Sequence, residues 1–138
     1  MIEAPHWKDV KGWRWVHFTA KEMACKHCDA VKVDETFMDK LDQLRSNLGF
    51  PISVSSGYRC PDHNENVSVT GRDGPHTTGK AADPQVSGER AFKLVAEALR
   101  LGFKGIGLSQ KGPHGSRFVH VDTLENGPGC PRPTCWSY

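Results

Sequence analysis

Two short apolar segments with an ionisable residue in the middle constrain the fold of this chain most. The segment Phe118–Asp122 alternates like a β-strand around His120, and Lys80–Val86 indicates a second strand around Asp83. A charged group inside an apolar strand costs free energy unless a metal or an opposite charge compensates for it. If the two strands pair, His120 and Asp83 can face the same side of one sheet.

Three helices are predicted from their end signals. Thr19 followed by Glu22 forms a capping box, so a short helix begins there. Asp34 begins a second helix that Gly49 ends, and a third helix runs from about Glu89 to Leu101. The predicted buried face of the second helix consists of Val33, Phe37, Leu41, Leu44 and Leu48. The predicted buried face of the third helix consists of Phe92, Val95 and Leu99.

Further strands are predicted at Ile52–Ser55 and near Gly105–Ser109, whereas two other stretches are expected to be irregular. Residues 57–79 are rich in turn-forming residues and should form a long loop, of the kind that tends to carry function in small domains. The tail after Glu125 holds three prolines and two cysteines. The order of elements indicates an α+β domain with a small, mainly antiparallel sheet flanked by helices.

The composition excludes several classes of protein. With 138 residues, 25% of them charged and 37% apolar, we expect residues 1–138 to form one globular domain that acts as a monomer. A net charge of +2 is too small to argue for a nucleic-acid partner, although a slightly basic surface suits an anionic substrate such as a bacterial cell wall. No run is long and apolar enough for a membrane span, and Met1–Val10 lacks the apolar core of a secretory signal.

The five cysteines leave three interpretations open. Cys25 and Cys28 form a CxxC pair, Cys130 and Cys135 are spaced as CxxxxC, and Cys60 stands between the pairs. The two pairs could form a four-sulfur structural zinc site, although the second spacing fits loosely. One or more disulfides, or free and partly buried thiols, are the other interpretations. The odd number of cysteines excludes complete pairing within the chain.

His76 completes a set of residues that suits a metal. It lies seven residues before Asp83, and His120 follows much later in the chain. Two imidazoles and one carboxylate, with a fourth position left for water, are the ligands of a catalytic zinc. The alternatives are that His76 is a solvated loop residue, that His120 is a hydrogen-bonded core residue and that Asp83 caps the end of its strand.

Three motifs occur together in the chain. They are the loop SGYR at Ser56–Arg59 with Asn64 after it, the run HTTGKAAD at His76–Asp83, and the strand FVHVD at Phe118–Asp122. Together they resemble the M15 peptidase family, over roughly Phe18 to Thr123. The family includes zinc D-Ala-D-Ala carboxypeptidases, L-Ala-D-Glu phage endolysins and related cell-wall endopeptidases. The resemblance is strongest to short M15-like proteins of phages and bacteria, and it implies the hedgehog/DD-peptidase-like fold that the family shares with the hedgehog signalling domain.

The resemblance also assigns roles to residues. It implies that the zinc ligands are His76, Asp83 and His120. Arg59 matches the arginine that lies beside the metal in the family, where it could bind a substrate carboxylate or polarise a carbonyl as an oxyanion forms. The alternative for Arg59 is a structural salt bridge. Ser56 and Tyr58 are expected to support this substrate-binding loop.

The resemblance leaves the proton-transferring residue open. Many family members place an acid three residues before the last zinc histidine, where this chain has Arg117. His114 is the first candidate for the general base, because the hedgehog-like arrangement has its acid near that position and histidine titrates in the useful range. The alternative is a solvent-exposed loop histidine. Asp122 is the second candidate, since it follows His120 on the same strand face and could act as a base or orient a ligand. His63 is a weaker option.

Pro84, directly after Asp83, is a second departure, because an aliphatic residue is usual there. Proline lacks the N–H that a sheet ladder needs. We therefore predict that this strand lies at a sheet edge or ends early, which could shift the carboxylate of Asp83 slightly.

The sequence thus predicts a zinc-dependent metallopeptidase that hydrolyses a peptide bond in the stem peptides of peptidoglycan. The bond could be D-Ala-D-Ala, L-Ala-D-Glu or a cross-link, with loops deciding between them. Such a domain fits a phage lysis or tail enzyme, or a small bacterial remodelling enzyme, that reaches the wall without an N-terminal signal. The alternative is a catalytically inactive, zinc-stabilised module with a cell-wall-binding or structural role, which Arg117 at the position of the usual acid favours. A weaker third hypothesis is an interaction domain that disulfides or a zinc ion stabilise, in which Cys25, Cys28, Cys130 and Cys135 matter most.

Overall fold

A five-stranded sheet, a two-stranded sheet and four helices make up the computed structural model, which describes residues 1–138. The helices are α1 (Ala20–Met23), α2 (Glu35–Leu48), α3 (Pro61–Val67) and α4 (Gly88–Arg100). The small sheet consists of β1 (Ile2–Ala4) and β2 (Val31–Val33). The larger sheet consists of β3 (Ser53–Ser56), β4 (Ala81–Gln85), β5 (Gly105–Ser109), β6 (Phe118–Asp122) and β7 (Thr134–Ser137). Short 3₁₀ helices lie at Trp7–Asp9, Pro75–Thr78 and His114–Ser116.

The larger sheet has the strand order β3-β4-β6-β5-β7, and only the β5–β7 pair is parallel. The predicted α+β class with a mainly antiparallel sheet is therefore confirmed. The strands β4 and β6 are neighbours, with Ala81 opposite Asp122 and Ala82 opposite Val121. This pairing brings the two strands with buried ionisable residues side by side. None of the four helices combines the length and hydropathy needed to cross a bilayer.

The predicted helix starts form as the capping signals indicate. The Thr19 side chain accepts a hydrogen bond from the backbone N–H of Glu22 at 3.1 Å, and the Asp34 side chain accepts from Phe37 at 2.9 Å. The Glu22 carboxylate does not accept the backbone N–H of Thr19, as the second half of a capping box would. It accepts a hydrogen bond from the backbone N–H of Val54 at 3.0 Å. The first helix is therefore tied to β3, the strand that leads into the SGYR loop.

The core is a single cluster of 21 buried apolar residues. The predicted inner face of α2 belongs to it, since Phe37, Leu41 and Leu44 are fully buried, Val33 is buried and Leu48 packs at the margin. One face of the larger sheet contributes Ala82, Val119 and Val121 to the same cluster. The opposite face is left to the polar residues of the alternating strands.

The buried face of α4 differs from the predicted one. Phe92 is 79% exposed and Leu99 is 60% exposed, and Val95 is only partly buried. The residues of α4 that are buried are Ala91, Leu94 and Ala98. Apolar residues lie on both sides of this stripe, so periodicity alone could not choose between two neighbouring faces. The face with two alanines lets α4 lie close to the bulky face of α2.

The sequence analysis missed several elements. The strands β1 and β2 and the helix α3 were not predicted, and the tail expected to be irregular contains β7. Pro61 as the first residue of α3, after the capping Cys60, is a start signal that could have revealed this helix within the long loop.

Of the two alternatives predicted from Pro84, the sheet edge is wrong, because β4 lies inside the sheet between β3 and β6. The early end applies only to the pairing of β4 with β6. The proline is tolerated because the paired residues of β4 and β6 end at Ala82, before the proline. On the other side, the N–H of Val54 opposite Pro84 is directed to Glu22 and not to β4. No ladder hydrogen bond therefore needs a donor at this position.

We predict that Leu94→Ala lowers the free energy of unfolding by about 2–5 kcal/mol, because it empties a fully buried position of the core. The matched change Phe92→Ala removes a larger side chain that is mostly exposed, so it should cost less than about 0.5 kcal/mol. Urea denaturation followed by circular dichroism measures both. Equal losses for the two variants would contradict the observed orientation of α4.

Candidate metal centre

Three buried side chains converge on the polar face of the larger sheet. His76 comes from the 3₁₀ helix Pro75–Thr78, Asp83 from β4 and His120 from β6. The Oδ1 atom of Asp83 lies 3.3 Å from Nε2 of His76 and 3.0 Å from Nδ1 of His120. The ligand atoms of the three residues all lie within 4.8 Å of one another, so one ion could contact all of them. Two imidazoles and a carboxylate are a donor set that fits zinc.

The second nitrogen of each imidazole is hydrogen-bonded away from the centre. Nδ1 of His76 lies 2.7 Å from the carbonyl oxygen of Gly57, so it donates there. Nε2 of His120 lies 2.8 Å from Oδ2 of Asp122. Partners of this kind fix the tautomer and the ring orientation of a metal ligand. With a metal bound, each histidine would therefore direct its other, deprotonated nitrogen towards the ion.

Asp122 and Arg132 form a buried ion pair behind His120. The Arg132 guanidinium donates through Nε to Oδ1 at 2.9 Å and through Nη2 to Oδ2 at 2.8 Å, and the N–H of Leu124 donates to Oδ1 at 3.2 Å. Burial alone would raise the pKa of Asp122, but the hydrogen bonds with His120 and Arg132 outweigh it and lower the pKa. Of the two roles predicted for Asp122, this geometry matches orientation of the ligand His120.

Arg59 lies on the other side of the centre. Its Nη2 lies 3.4 Å from Oδ2 of Asp83, and its remaining donors are held by Ser56 Oγ at 2.9 Å and Asn64 Oδ1 at 3.3 Å. The Asp83 carboxylate is therefore shared, with Oδ1 towards the histidines and Oδ2 towards the guanidinium. The side chain of Arg59 keeps 17% of its surface exposed, so a ligand at the centre could reach it.

The charges of the centre favour an ionised carboxylate. Burial opposes the charge on Asp83, but hydrogen bonds with His120 and His76 hold its pKa well below the usual range. Burial lowers the pKa of His76, which keeps this imidazole neutral. Burial also disfavours protonation of His120, but its two carboxylate partners outweigh that effect and raise its pKa.

The predicted base His114 is exposed and makes no hydrogen bond to the three converging residues. Its Nδ1 lies 3.3 Å from Ser87 Oγ, and its ring lines a surface cleft of about 470 Å³. The cleft also contains Gln85, which follows Asp83 by two positions on the same face of β4. Arg117, at the position of the family's usual acid, donates to the carbonyl of Gly112 at 3.0 Å.

Of the three interpretations left open for the cysteines, the four-sulfur site of Cys25, Cys28, Cys130 and Cys135 does not form, because the tail cysteines do not join the CxxC pair. Cys60 lies there in their place, and all five thiols are free. The carbonyl and N–H of Cys130 pair with Gly127, and Cys135 lies on β7 opposite Ile106 of β5, which holds them in the C-terminal part of the fold.

Tyr58 lies close to the thiols of Cys25, Cys28 and Cys60, and His63 follows Cys60 by three positions. Burial raises the pKa of Tyr58, and the nearby thiols of Cys60 and Cys28 raise it further. The His63 ring stacks on His27 with 5.7 Å between ring centroids. Their predicted roles in substrate binding and proton transfer gain no support from this placement.

The residues that the sequence analysis missed come from the tail. The Trp136 indole packs on the imidazole of His120 with ring centroids 5.0 Å apart, and the Arg132 guanidinium lies over the same indole at 5.2 Å. Gly107 makes room for Trp136, since a Cβ there would lie 2.6 Å from the indole nitrogen. The alternation of Thr134, Trp136 and Tyr138 was the signal that could have indicated a strand.

An α+β fold that gathers two histidines and one aspartate on the polar face of its sheet defines a candidate metal-dependent hydrolase. A family model described as Peptidase M15 matches residues 16–122, which is most of the chain. The chain belongs to the peptidase M15 family. Among curated proteins, none matches it. The matched region contains the three converging residues and Asp122 but ends before Arg132 and Trp136.

We predict that Asp122→Asn weakens zinc binding by about 10- to 100-fold, because the amide is a weaker acceptor for the N–H of His120 and leaves Arg132 without its counter-charge. Isothermal titration calorimetry with zinc on metal-free protein measures the change. The control is Asp9→Asn, since Asp9 is exposed and its side chain makes no hydrogen bond. Equal affinities of the two variants would show that Asp122 does not support the centre.

Proposed function

We propose that the protein is a zinc-dependent metallopeptidase that hydrolyses a peptide bond in the stem peptides of peptidoglycan. The observation that carries the proposal is the buried group of His76, Asp83 and His120 in a member of the peptidase M15 family. When bound, zinc supplies a Lewis acid that lowers the pKa of water and polarises a carbonyl group. The chain's own residues then bind and orient the peptide and move the proton.

The two histidines and Asp83 would hold the ion in a fixed geometry. Gly57 and Asp122 support this role, because each of them accepts from one imidazole nitrogen and so orients the other nitrogen of His76 and His120 towards the ion. Arg59 is the proposed group for the substrate, binding either a peptide carboxylate or the oxyanion that develops at the scissile carbonyl. Ser56 holds its guanidinium at 2.9 Å, which supports the positioning role proposed for this serine.

His114 is the residue that we propose transfers the proton. It lines an exposed cleft that also contains Ser53 of β3 and Gln85 of β4, where Gln85 donates to the carbonyl of Gly115 at 2.9 Å. Gln85 follows Asp83 by two positions on the same strand. Catalytic hydrogen bonds often form only when the substrate is bound, so the present contact with Ser87 does not oppose this role. Asp122 is the weaker candidate, because its carboxylate is fully buried and already occupied by His120 and Arg132.

The surroundings of the centre suit an extended, anionic peptide. Arg90 lines the cleft on one side and offers a cation to the carboxylates of a stem peptide. On the other side, Trp136, Tyr138 and Phe118 form a partly exposed aromatic row next to His120. We propose that the aromatic row contacts a peptide bound at the centre.

The main test is digestion of purified peptidoglycan, with the released fragments identified by mass spectrometry. Cleavage is expected for the zinc-loaded protein and should be lost with a chelator and in His76→Ala. The fragment masses identify the bond. Cleavage that survives both treatments would contradict a metal mechanism.

A second prediction separates the proton carrier from the metal ligands. His114→Ala should lower kcat by about 10²- to 10⁴-fold and leave zinc content unchanged. The matched control is His17→Ala, since His17 pairs with Asp42 at 3.0 Å and is outside the centre and the cleft. An unchanged kcat in the His114 variant would exclude it as the proton carrier.

One observation favours the rival proposal, a catalytically inactive zinc-stabilised module that binds the cell wall or has a structural role. Arg117 replaces the usual acid and its side chain donates to Gly112. Such a module would sediment with insoluble peptidoglycan without releasing fragments from any wall type. Release of fragments by the zinc-loaded protein excludes it.

A further inference from the structure

Three thiols gather at a second place in the fold. Cys25 and Cys28 belong to the loop between α1 and β2, and Cys60 caps α3. Their sulfur atoms all lie within 4.8 Å of one another, and none is in a disulfide. Ligands held about 2.3 Å from a tetrahedral zinc are separated by about 3.8 Å, so the three sulfurs are already near the spacing that the ion requires.

The backbone around these thiols is folded back tightly. The N–H of Cys25 donates to the carbonyl of Ala30 at 2.8 Å, and the N–H of Asp29 donates to the carbonyl of Cys25 at 2.9 Å. Asp29 adopts a φ of 64°, a left-handed conformation that is uncommon outside glycine. This closed turn directs both cysteines of the CxxC pair towards Cys60.

Backbone donors point at the sulfur atoms. The N–H of Cys60 lies 3.4 Å from Sγ of Cys25, and the N–H of His63 lies 3.4 Å from Sγ of Cys60. Hydrogen bonds of this kind favour the thiolate, which is the form that binds a metal. The cluster therefore combines ligand type, spacing and supporting donors.

His63 is the candidate for the fourth donor. Cys60 and His63 have the same two-residue spacing as Cys25 and Cys28, so the chain contains CxxC followed by CxxH. The His63 ring is partly buried and stacks on His27, one of the two residues between the CxxC cysteines, at an angle of 6° between ring planes. The imidazole is not among the groups whose ligand atoms all lie within 4.8 Å of one another, so its side chain would rotate towards the thiols to bind the same ion. Three thiolates and one imidazole form a closed set that is typical of structural zinc.

We propose that Cys25, Cys28, Cys60 and His63 bind a second, structural zinc ion. Its role follows from the residues next to Cys60. The loop that ends there supplies the Gly57 carbonyl to His76 and the Arg59 guanidinium to Asp83. A zinc at the cluster would join this loop to the turn after α1 and so brace one side of the candidate active centre.

The test is zinc stoichiometry by mass spectrometry of the native protein, purified with zinc and a reductant. The wild-type protein should hold two zinc ions, and both Cys60→Ser and His76→Ala should hold one. Cys28→Ser gives the same readout with less risk to folding, because Cys28 is exposed. The control Cys135→Ser, an exposed cysteine outside the cluster, should keep two. A wild-type protein with one zinc that is lost in His76→Ala but kept in Cys28→Ser would overturn the proposal. A disulfide among the three cysteines, detected as a lower mass of the polypeptide, would overturn the proposal as well.

Cobalt substitution tests the ligands without measuring activity. Thiolate-to-cobalt charge transfer gives intense near-ultraviolet absorption, which the oxygen and nitrogen ligands of the other centre do not give. The band should be present in His76→Ala and absent in Cys60→Ser. His63→Ala should weaken cobalt binding at this site more than tenfold, whereas His27→Ala should change it less than twofold. A reversed result for the two histidines would overturn the assignment of His63.

Discussion

The buried carboxylate of Asp83 is the group on which the rest of the structure depends. It is nearly fully buried in a strand, where an uncompensated charge would cost several kcal/mol. Three partners compensate for it, with His76 and His120 on one oxygen and Arg59 on the other. These partners come from a 3₁₀ helix, a neighbouring strand and the SGYR loop, so the charge fixes the relative positions of elements that are distant in sequence.

The alternation of side chains along the strands places core residues and residues of the candidate centre on opposite faces of the sheet. Val119 and Val121 point into the apolar core, and Phe118, His120 and Asp122 point to the other face. Space on that face comes from β5, where a side chain at Gly105 would collide with the Asp122 carboxylate. The charged groups could therefore be packed closely without entering the core.

Local signals explain what could be predicted from the sequence. The capping residues Thr19 and Asp34 act over a few positions, and a charge in an apolar strand requires a partner. The starts of α1 and α2 and the β4–β6 pairing could therefore be predicted. The inner face of α4 was not, because Phe92 and Leu94 are both apolar and only packing against α2 decides between them. The pairing of β7 with β5 and the approach of Cys60 to Cys25 depend on long-range contacts that leave no local pattern. For the candidate site, the family motifs indicated His76, Asp83 and His120, but nothing in them indicated Arg132.

The hydrogen bonds from Arg132 to Asp122 extend the candidate centre beyond the residues that the family model matches. The residues that the family model matches end at 122, yet the arginine that pairs with Asp122 is supplied from beyond them. A chain cut at this limit would contain every family motif named above and would leave the Asp122 carboxylate paired with His120 alone. The smallest unit that contains the whole centre is therefore larger than the shared one, and the tail is part of the architecture of the centre.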